Sequence, residues 1–163
     1  MIEPKCAKLC EVLHRTYEGQ ICSAARTLEV IGERWTLMIL RDAFLGVRRF
    51  DDFQRSLGVS RGILAGRLQW LCDEGILERR PYQERPERFE YRLTDKGRDL
   101  WPVMMSLMKW GDRYEAEHGP PRIVLHRDCG GEVTDRLTCA RCGSELTVRD
   151  VETRPGPGAR AAA

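Results

Sequence analysis

Apolar residues recur with a helical period between Ser60 and Gly75. Leu64, Leu68 and Leu71 are spaced by four and three residues, which places them on one face of a helix that packs on a core. The Ser60 hydroxyl can cap this helix by accepting a hydrogen bond from a backbone N–H of the first turn, and Gly75 can end it. The pattern therefore predicts a helix with one buried, leucine-lined face.

The opposite face of this helix carries Gly62, Gly66 and Gln69, with Arg61 in the first turn. Each exposed glycine destabilises a helix by about 1 kcal/mol relative to alanine, so local stability does not explain the pair. Close approach of the helix backbone to a large partner does explain it. Because Arg can bind guanine and Gln adenine in the DNA major groove, this face is typical of a DNA-reading helix. Arg67 either joins this face or braces the fold, since it lies near the leucine stripe.

A longer apolar stripe precedes this region and predicts one helix from about Ser23 to Phe44, closed by Gly46. Its members are Leu28, Ile31, Trp35, Met38 and Ile39. Cys22 stands at the start of this helix, where free backbone N–H groups and the helix dipole lower the pKa of a thiol. Cys22 is therefore a candidate redox trigger, and the alternative is a buried structural thiol.

The segment between the two helices predicts a strand and a further helix. Residues 48–50, Arg-Arg-Phe, are expected to pair with a hairpin as a short strand. Asp51 can cap a helix that ends near Leu57. In a helix-turn-helix arrangement this first helix crosses the DNA backbone, so Arg55 can reach a phosphate.

Residues 76–93 predict a charged hairpin. Phe89, Tyr91 and Leu93 alternate with polar residues, which is the period of a half-buried strand, and Pro86 suits the tip. Five Arg stand against three Glu between residues 79 and 92. Such a wing can contact phosphates, and the alternative is a solvated hairpin. The wing candidates are Arg79, Arg80, Arg85 and Arg88.

A long helix capped by Thr94 is expected after the wing, with Pro102 limiting its first turn. Its apolar surface is broader than one helix of a small domain needs. The surplus favours a surface shared with a second subunit, and the alternative is that the Met and Trp cluster lines a ligand pocket. The apolar positions are Leu100, Trp101, Met104, Met105, Leu107, Met108, Trp110 and Tyr114.

These motifs resemble the HxlR family of bacterial transcriptional regulators, relatives of the MarR-type winged-helix proteins. The resemblance is carried by residues 22–42, 46–50, 64–68 and 93–97, in that order. It implies a homodimeric, winged helix-turn-helix DNA-binding protein over about residues 22–118. Some members of that family sense oxidants or quinones through a cysteine at the position of Cys22.

A different composition begins after Gly119-Pro-Pro. Short strand patterns surround His126-x2-Cys129-Gly and Cys139-x2-Cys142-Gly. Two such turns can each present two ligands to one tetrahedral ion, which is the arrangement of a zinc ribbon. The sequence therefore predicts a zinc site, and the alternative is a small β-ribbon that has lost its metal.

The predicted fold class is mainly α (α+β), and four parts make up the chain. Residues 1–21 form an arm that packs on a dimer partner, and the dimerisation helices belong to the winged helix-turn-helix domain of residues 22–118. Residues 122–150 form a zinc-ribbon-like β subdomain, and residues 151–163 a disordered tail rich in Pro, Gly and Ala. In the arm, Cys6 and Cys10 share a helical face; two thiols alone make a poor metal site, so they are expected to be packing or incidental residues.

The composition indicates where the protein works more clearly than what it does. The chain has 163 residues, 42% hydrophobic and 32% charged, and no apolar run approaches the roughly 18 residues that cross a bilayer. No signal peptide precedes the first helix, so we expect a cytoplasmic protein without membrane contact. Because the net charge is only +2, any positively charged surface that binds nucleic acid must be a local patch. Seven cysteines in a reducing compartment favour metal or reactive thiols over disulfides.

The sequence thus predicts a DNA-binding transcriptional regulator, most simply a repressor, that binds a pseudo-palindromic operator as a homodimer under a redox or small-molecule signal. The alternative is a winged-helix protein-interaction module with a zinc ribbon. An enzyme is not expected, because no nucleophile, base and orienting partner occur at meaningful spacing. The candidate DNA-binding residues are Arg55, Ser60, Arg61, Gly62, Gly66, Arg67, Gln69, Arg79, Arg80, Arg85 and Arg88.

Overall fold

The structure, a computed structural model, describes residues 21–162, with side chains up to residue 159. The expected N-terminal arm, with Cys6 and Cys10, therefore lies outside the described residues, apart from Ile21. The helices are α1 (Ser23–Ile31), α2 (Arg34–Phe44), α3 (Phe50–Leu57), α4 (Arg61–Asp73), α5 (Asp95–Arg98) and α6 (Trp101–Tyr114). The strands are β1 (Leu77–Glu84), β2 (Glu87–Leu93), β3 (Arg122–His126) and β4 (Val151–Pro155), followed by a 3-10 helix (Pro157–Ala162).

The leucine stripe of α4 lies at the centre of the first core. Leu64, Leu68 and Leu71 are completely buried, together with Phe53 of α3 and Ile39 of α2. Burying a leucine side chain stabilises a fold by about 1.5–3 kcal/mol, so this stripe holds three helices together. The predicted buried face of the reading helix is confirmed.

The ends of α4 also match the sequence pattern. Ser60 Oγ accepts a hydrogen bond from the backbone N–H of Ile63 at 3.4 Å. The helix ends at Asp73, and Gly75 follows with a φ of +66°, a left-handed conformation that favours glycine.

The single helix expected over residues 23–44 is wrong, because the chain breaks at Gly32. Glu33 caps a new helix there: its Oε2 accepts from the backbone N–H groups of Trp35 at 2.9 Å and Thr36 at 3.1 Å. A side-chain cap of this kind starts a helix within an apolar pattern that continues through the break. The stripe therefore spans two helices, α1 and α2.

The start of α3 also differs from the prediction. Arg49 occupies the cap position and Asp51 lies in the first turn, where its charge favours the helix N-terminus. The predicted strand of residues 48–50 reduces to one bridge between Arg49 and Glu90, with the Tyr91 N–H donating to the Arg48 carbonyl at 2.7 Å. Phe50 is helical because α3 begins two residues earlier than a cap at Asp51 would allow.

The wing is an antiparallel pair of β1 and β2, with Leu77 opposite Leu93 and Arg79 opposite Tyr91. Thr94 follows the wing as predicted, and its Oγ1 accepts from the Gly97 N–H at 3.1 Å. The expected long helix is nevertheless two helices, since α5 stops at Arg98 and α6 begins just before Pro102. Pro102 suits the first turn of α6, where the missing N–H would have no helical partner.

The C-terminal unit packs on the side of α6 through a second core. Trp101 and Met105 of α6 are buried there with Val133, Leu146 and Val151. At the surface, Arg113 of α6 lies 2.8 Å from Asp135. The same helix therefore contributes to both cores.

The disordered tail expected over residues 151–163 is not what the structure has. Strand β4 pairs antiparallel with β3, with Val151 opposite His126 and Pro155 opposite Arg122. Gly156 and Gly158 then pass so close to the Pro120 and Gly119 carbonyls that a Cβ at either would lie 2.2 Å from an oxygen. The Pro and Gly residues that suggested disorder serve instead to lay the chain against this turn.

The described elements form an α+β winged-helix domain with a small β unit, so the expected fold class is confirmed. Among residues 21–162, no helix is long and apolar enough to cross a membrane.

Candidate nucleic-acid interface and metal centre

The outer face of α4 is exposed and unobstructed. Gly62, Gly66 and Gln69 are exposed, and a Cβ built on either glycine would meet no atom within 4 Å. Gln69 Nε2 donates to Asp73 Oδ1 at 2.8 Å, a contact between two exposed side chains that can exchange with an outside partner. The side of the helix opposite the buried leucines is therefore open to a large surface.

Arg61 is held beside α3. Its NH1 lies 3.2 Å from Asp51 Oδ1 and donates to Gln54 Oε1 at 2.9 Å, while its guanidinium stacks over the Phe50 ring at 4.7 Å. The guanidinium is thereby positioned at the turn between the two helices of the helix-turn-helix. Arg55, near the end of α3, forms an exposed ion pair with Asp52 at 3.3 Å.

Arg67 points toward the fold. Its Nε lies 3.3 Å from Glu33 Oε2, the same oxygen that caps α2. The geometry supports the bracing role that the sequence left open for Arg67, since the guanidinium links α4 to the first turn of α2. A contact from Arg67 to DNA remains a prediction.

The four wing arginines have different environments. Arg79 stacks over the Phe89 ring at 3.4 Å, and Arg80 pairs with Glu78 at 2.6 Å. Arg85 and Arg88 are exposed near the hairpin tip and, within the described part of the chain, have no ion-pair partner. The tip therefore offers two cations that are available to an outside anion.

Cys22 is exposed and occupies the cap position of α1. The backbone N–H groups of Ala25 and then Ala24 lower the pKa of this thiol. A lowered pKa increases the fraction of reactive thiolate near neutral pH. Cys22 is thus not buried within the described part of this chain, and its role as a redox trigger remains a prediction.

The C-terminal unit brings four potential metal ligands together. The ligand atoms of His126, Cys129, Cys139 and Cys142 all lie within 4.8 Å of one another. Cys129 Sγ is 3.2 Å from His126 Nδ1, 3.3 Å from Cys139 Sγ and 3.7 Å from Cys142 Sγ. Tetrahedral zinc with bonds of about 2.0–2.3 Å separates its ligands by roughly 3.5–3.8 Å. The set therefore fits one tetrahedral ion.

Two turns of the same design present these ligands. The Gly130 N–H donates to the His126 carbonyl at 2.8 Å, and the Gly143 N–H donates to the Cys139 carbonyl at 2.9 Å. Both glycines have positive φ, +70° and +74°, which L side chains rarely adopt. Each glycine of the sequence motif thus closes a turn around two ligands.

At two of the three cysteines, Cys139 and Cys142, neighbouring groups favour the thiolate form that metals bind, whereas the pKa of Cys129 is raised beside Cys139 and Cys142. The Ser144 hydroxyl and backbone N–H lower the pKa of Cys142 to about 6. The backbone N–H groups of Cys142 and Arg141 lower the pKa of Cys139. On the imidazole side, His126 Nε2 lies 3.6 Å from Asp128 Oδ2, a carboxylate that can orient a metal-bound histidine.

The sequence reasoning missed three residues that build these sites. Glu33 supports Arg67, and Ser144 acts on Cys142. Gly131 allows the two turns to approach, because a Cβ there would lie 2.5 Å from Cys139 Sγ. The Gly-Gly pair after Cys129 and the Ser after Cys142-Gly were the available signals.

The relatives of this chain are helix-turn-helix transcriptional regulators. The profile of the HxlR-like helix-turn-helix family matches residues 30–119. The chain is 49% identical over 152 residues to the HTH-type transcriptional regulator Rv3095 of Mycobacterium tuberculosis, covering 93% of this chain and 94% of that one.

Two solved structures of regulators or candidate transcription factors have folds similar to that of this chain. PA1607, described as a candidate transcription factor, matches with a TM-score of 0.66 and 40% identity over 82% of this chain and 94% of its own. The redox regulator HypR in its reduced form matches with a TM-score of 0.54 and 31% identity over 56% of this chain and 92% of its own.

A bare helix-turn-helix face beside a wing, in a chain with these relatives, defines a DNA-binding transcriptional regulator. The chain belongs to the HxlR-like helix-turn-helix family. This family consists of regulators, which confirms the expectation that the protein is not an enzyme.

Metal binding can be measured with Co²⁺, whose absorption reports ligand type and geometry. We expect about one Co²⁺ per chain, with thiolate charge-transfer bands and the visible bands of a tetrahedral site. Cys139→Ser should weaken binding by at least about tenfold, the lower end of what disturbing a metal site costs. Cys72→Ser, a half-buried cysteine outside the cluster, is the matched control. Equal Co²⁺ uptake by the two variants would contradict the site.

Proposed function

We propose that this protein binds a pseudo-palindromic DNA operator as a homodimer and represses transcription from it in the cytoplasm. The observation that carries the proposal is the open face of α4, where no atom lies within 4 Å of a Cβ built on Gly62 or Gly66. A helix with that face can lie in the major groove with its backbone close to the bases. Gln69 and Arg61 then supply the hydrogen-bonding groups for base edges, and Ser60 lies at the end of the helix that enters the groove.

The wing and the first helix supply phosphate contacts in this proposal. Arg85 and Arg88 lie at the hairpin tip, and Arg55 is exposed on α3. Arg79 and Arg80 are partly engaged with Phe89 and Glu78, so they contribute less than the tip. The positively charged surface in this proposal is a local patch, in keeping with a net charge of only +2.

The homodimer is supported by an exposed apolar stripe on α6. Val103, Leu107, Trp110 and Tyr114 follow one another at intervals of four, three and four residues, and they are 40%, 48%, 58% and 62% exposed. This is the spacing of a helix that packs against another helix. Pairing two copies through this stripe can place two α4 helices in successive major grooves, about 34 Å apart.

Zinc is the metal we assign to the cluster of His126, Cys129, Cys139 and Cys142. Three sulfur ligands and one imidazole in a tetrahedral arrangement are typical of structural zinc. Four protein ligands leave no open position for catalysis, so the ion stabilises the β unit.

A redox signal is proposed to act through Cys22. The thiol is exposed, its pKa is lowered by backbone N–H groups, and one structural relative is named a redox regulator. The Cys22 thiolate can add to a ring carbon of a quinone: a carbon–sulfur bond forms as the ring C=C π bond breaks, and proton transfer from water gives the hydroquinone thioether at the cap position of α1.

A second candidate function is a protein-interaction module, which the low net charge favours. A genomic DNA-binding selection that enriches no sequence would support this alternative and contradict the operator. Enrichment of a two-fold symmetric sequence would support the regulator.

Gly66→Ala separates DNA binding from stability. The added methyl group meets open space and improves helix propensity, so the free energy of unfolding should rise by up to about 1 kcal/mol. Operator affinity should nevertheless fall by about tenfold, because the methyl group keeps α4 away from the base edges. Gly111→Ala on α6 also meets open space and is the matched control. Unchanged operator affinity in Gly66→Ala would contradict the proposed face.

Base reading and phosphate contact can be distinguished by two substitutions. Gln69→Ala should lower the ratio of operator affinity to scrambled-sequence affinity, whereas Arg85→Ala should weaken binding to all sequences and reduce the salt dependence by about one unit of slope. Fluorescence anisotropy across a salt series measures both effects. An unchanged ratio in Gln69→Ala would remove this residue from base reading.

The dimer is tested by Trp110→Glu, which places a charge in the exposed stripe. We expect sedimentation at micromolar concentration to shift from dimer to monomer, since burying an unpaired carboxylate costs several kcal/mol. Lys109→Glu puts the same carboxylate on α6 away from the stripe and should leave the dimer intact. Dimers that persist in Trp110→Glu would place the interface elsewhere.

Cys22→Ser tests the redox proposal. After benzoquinone treatment, we expect the wild-type protein and Cys72→Ser to lose at least about tenfold in operator affinity, while Cys22→Ser retains it. Because the pKa of the Cys22 thiol is lowered, the reaction should begin at a lower pH than that of an ordinary cysteine. Equal losses in wild type and Cys22→Ser would exclude Cys22 as the trigger.

A further inference from the structure

The four ligand residues of the metal cluster differ in how far the fold covers them. Cys139 is 2% exposed and belongs to the second core, and His126 is 8% exposed. Cys129 is half-buried, whereas Cys142 lies at the surface. A reagent in solution can therefore reach one thiol of the cluster, while the fold wholly or partly covers the other ligands.

The exposed thiol has a second thiol close to it. Cys142 Sγ lies 3.7 Å from Cys129 Sγ, and the two residues belong to different turns of the cluster. The sulfurs of a disulfide are about 2.05 Å apart, so small rotations of the two side chains would bring them to bonding distance. Cys139 is less free to turn toward Cys142, because it is packed in the second core. Cys129 is therefore the thiol best placed to react with an oxidised Cys142.

A disulfide between Cys129 and Cys142 would take one ligand from each turn of the proposed zinc site. His126 would remain as a ligand in the first turn and Cys139 in the second. Structural zinc is held by four protein ligands, so two are too few to retain the ion. Oxidation of this pair and binding of zinc therefore exclude each other.

We propose that Cys129 and Cys142 form an oxidation site for peroxides, and that oxidation of the pair releases zinc from the β unit. The Cys142 thiolate attacks one oxygen of hydrogen peroxide; the O–O bond breaks, hydroxide leaves and Cys142 becomes a sulfenic acid. The Cys129 thiolate then attacks the Cys142 sulfur; the S–S bond forms, the S–O bond breaks and a second hydroxide leaves. The two thiolates lose two electrons, which the peroxide gains.

The inference rests on the zinc site of the proposed function and adds a second oxidation site to the chain. It differs from the quinone adduct proposed at Cys22, because its product is a disulfide and its first consequence is loss of the ion. That consequence reaches α6, since Cys139 packs with Trp101 and Met105 of this helix in the second core. Oxidation would therefore loosen the contact between the β unit and a helix that the proposed dimer uses.

Zinc release from the full chain tests the proposal. The protein is loaded with zinc under reducing conditions, freed of reductant and treated with hydrogen peroxide, and the dye 4-(2-pyridylazo)resorcinol measures the released metal. We expect about one zinc per chain to be released by peroxide and bound again after reduction with dithiothreitol. A protein that binds no zinc before peroxide would contradict the metal site, and this inference with it. Zinc that is bound and then retained in peroxide would contradict this inference alone.

Peptide mapping identifies the oxidised pair. Trypsin cuts between the three cysteines of the cluster, which then lie in the separate peptides 128–136, 137–141 and 142–149. After peroxide treatment and alkylation of the free thiols, we expect peptide 142–149 to be joined to peptide 128–136, with Cys139 alkylated. A link between any other two of these peptides, or no link at all, would overturn the proposal.

Cys142→His separates oxidation from metal binding. An imidazole also ligates zinc, so this variant should still bind the ion, but it lacks the exposed sulfur and should release zinc on the order of tenfold more slowly in peroxide. If the variant does not bind zinc, the peptide map of the wild-type protein decides. Release from Cys142→His at the wild-type rate would overturn the proposal.

Two further cysteine variants serve as controls for zinc release. Cys72→Ser removes a half-buried thiol outside the cluster and is the matched control. Cys22→Ser removes the other proposed redox site. Both should release zinc in peroxide at the wild-type rate, because neither thiol belongs to the oxidised pair. Zinc retained in Cys22→Ser would place the reactive thiol at Cys22 and overturn the proposal.

Discussion

The burial of three leucines on one side of α4 determines how this helix is rotated. Turning the helix by one residue, about 100°, would expose part of the stripe and bury Gln69 or Asp73 without partners. Each leucine contributes about 1.5–3 kcal/mol by burial, so the rotation is fixed by several kcal/mol. The glycine face is consequently held outward whether or not DNA is present, and the helix needs no rearrangement to present it.

Most of the architecture could be predicted from local spacing. The 3-4 periodicity, the caps at Ser60 and Thr94 and the paired turns at His126 and Cys139 each depend on residues close in sequence. The breaks at Gly32 and before α6 lay inside continuous apolar patterns, where spacing alone does not reveal a new cap. Strand β4 depends on pairing with β3, about twenty-five residues away, so its composition suggested a tail.

The same distinction, between features set by residues close in sequence and features set by distant contacts, applies to the candidate sites. The clustering of the four potential metal ligands could be predicted, because two residues between the members of each pair are enough to bring both ligand atoms to one turn. The exposed glycine face of α4 could be predicted from residue type and period. The orientation of Arg67 toward Glu33 could not, because it is a tertiary contact between residues 34 positions apart in sequence. The Met and Trp residues of α6 line a cavity whose other walls come from β3, β4 and the end of α2, so only the α6 wall had a local signal in the sequence.

The contact between Arg67 and Glu33 restricts which residues can replace either of them. One carboxylate oxygen of Glu33 lies against two backbone N–H groups of α2 and the guanidinium of α4. Replacing either residue alone would leave the other partner's charge uncompensated at a half-buried helix junction. Mutational drift at one of these positions is therefore expected to be tolerated only with a matching change at the other, so that the two positions covary among homologues.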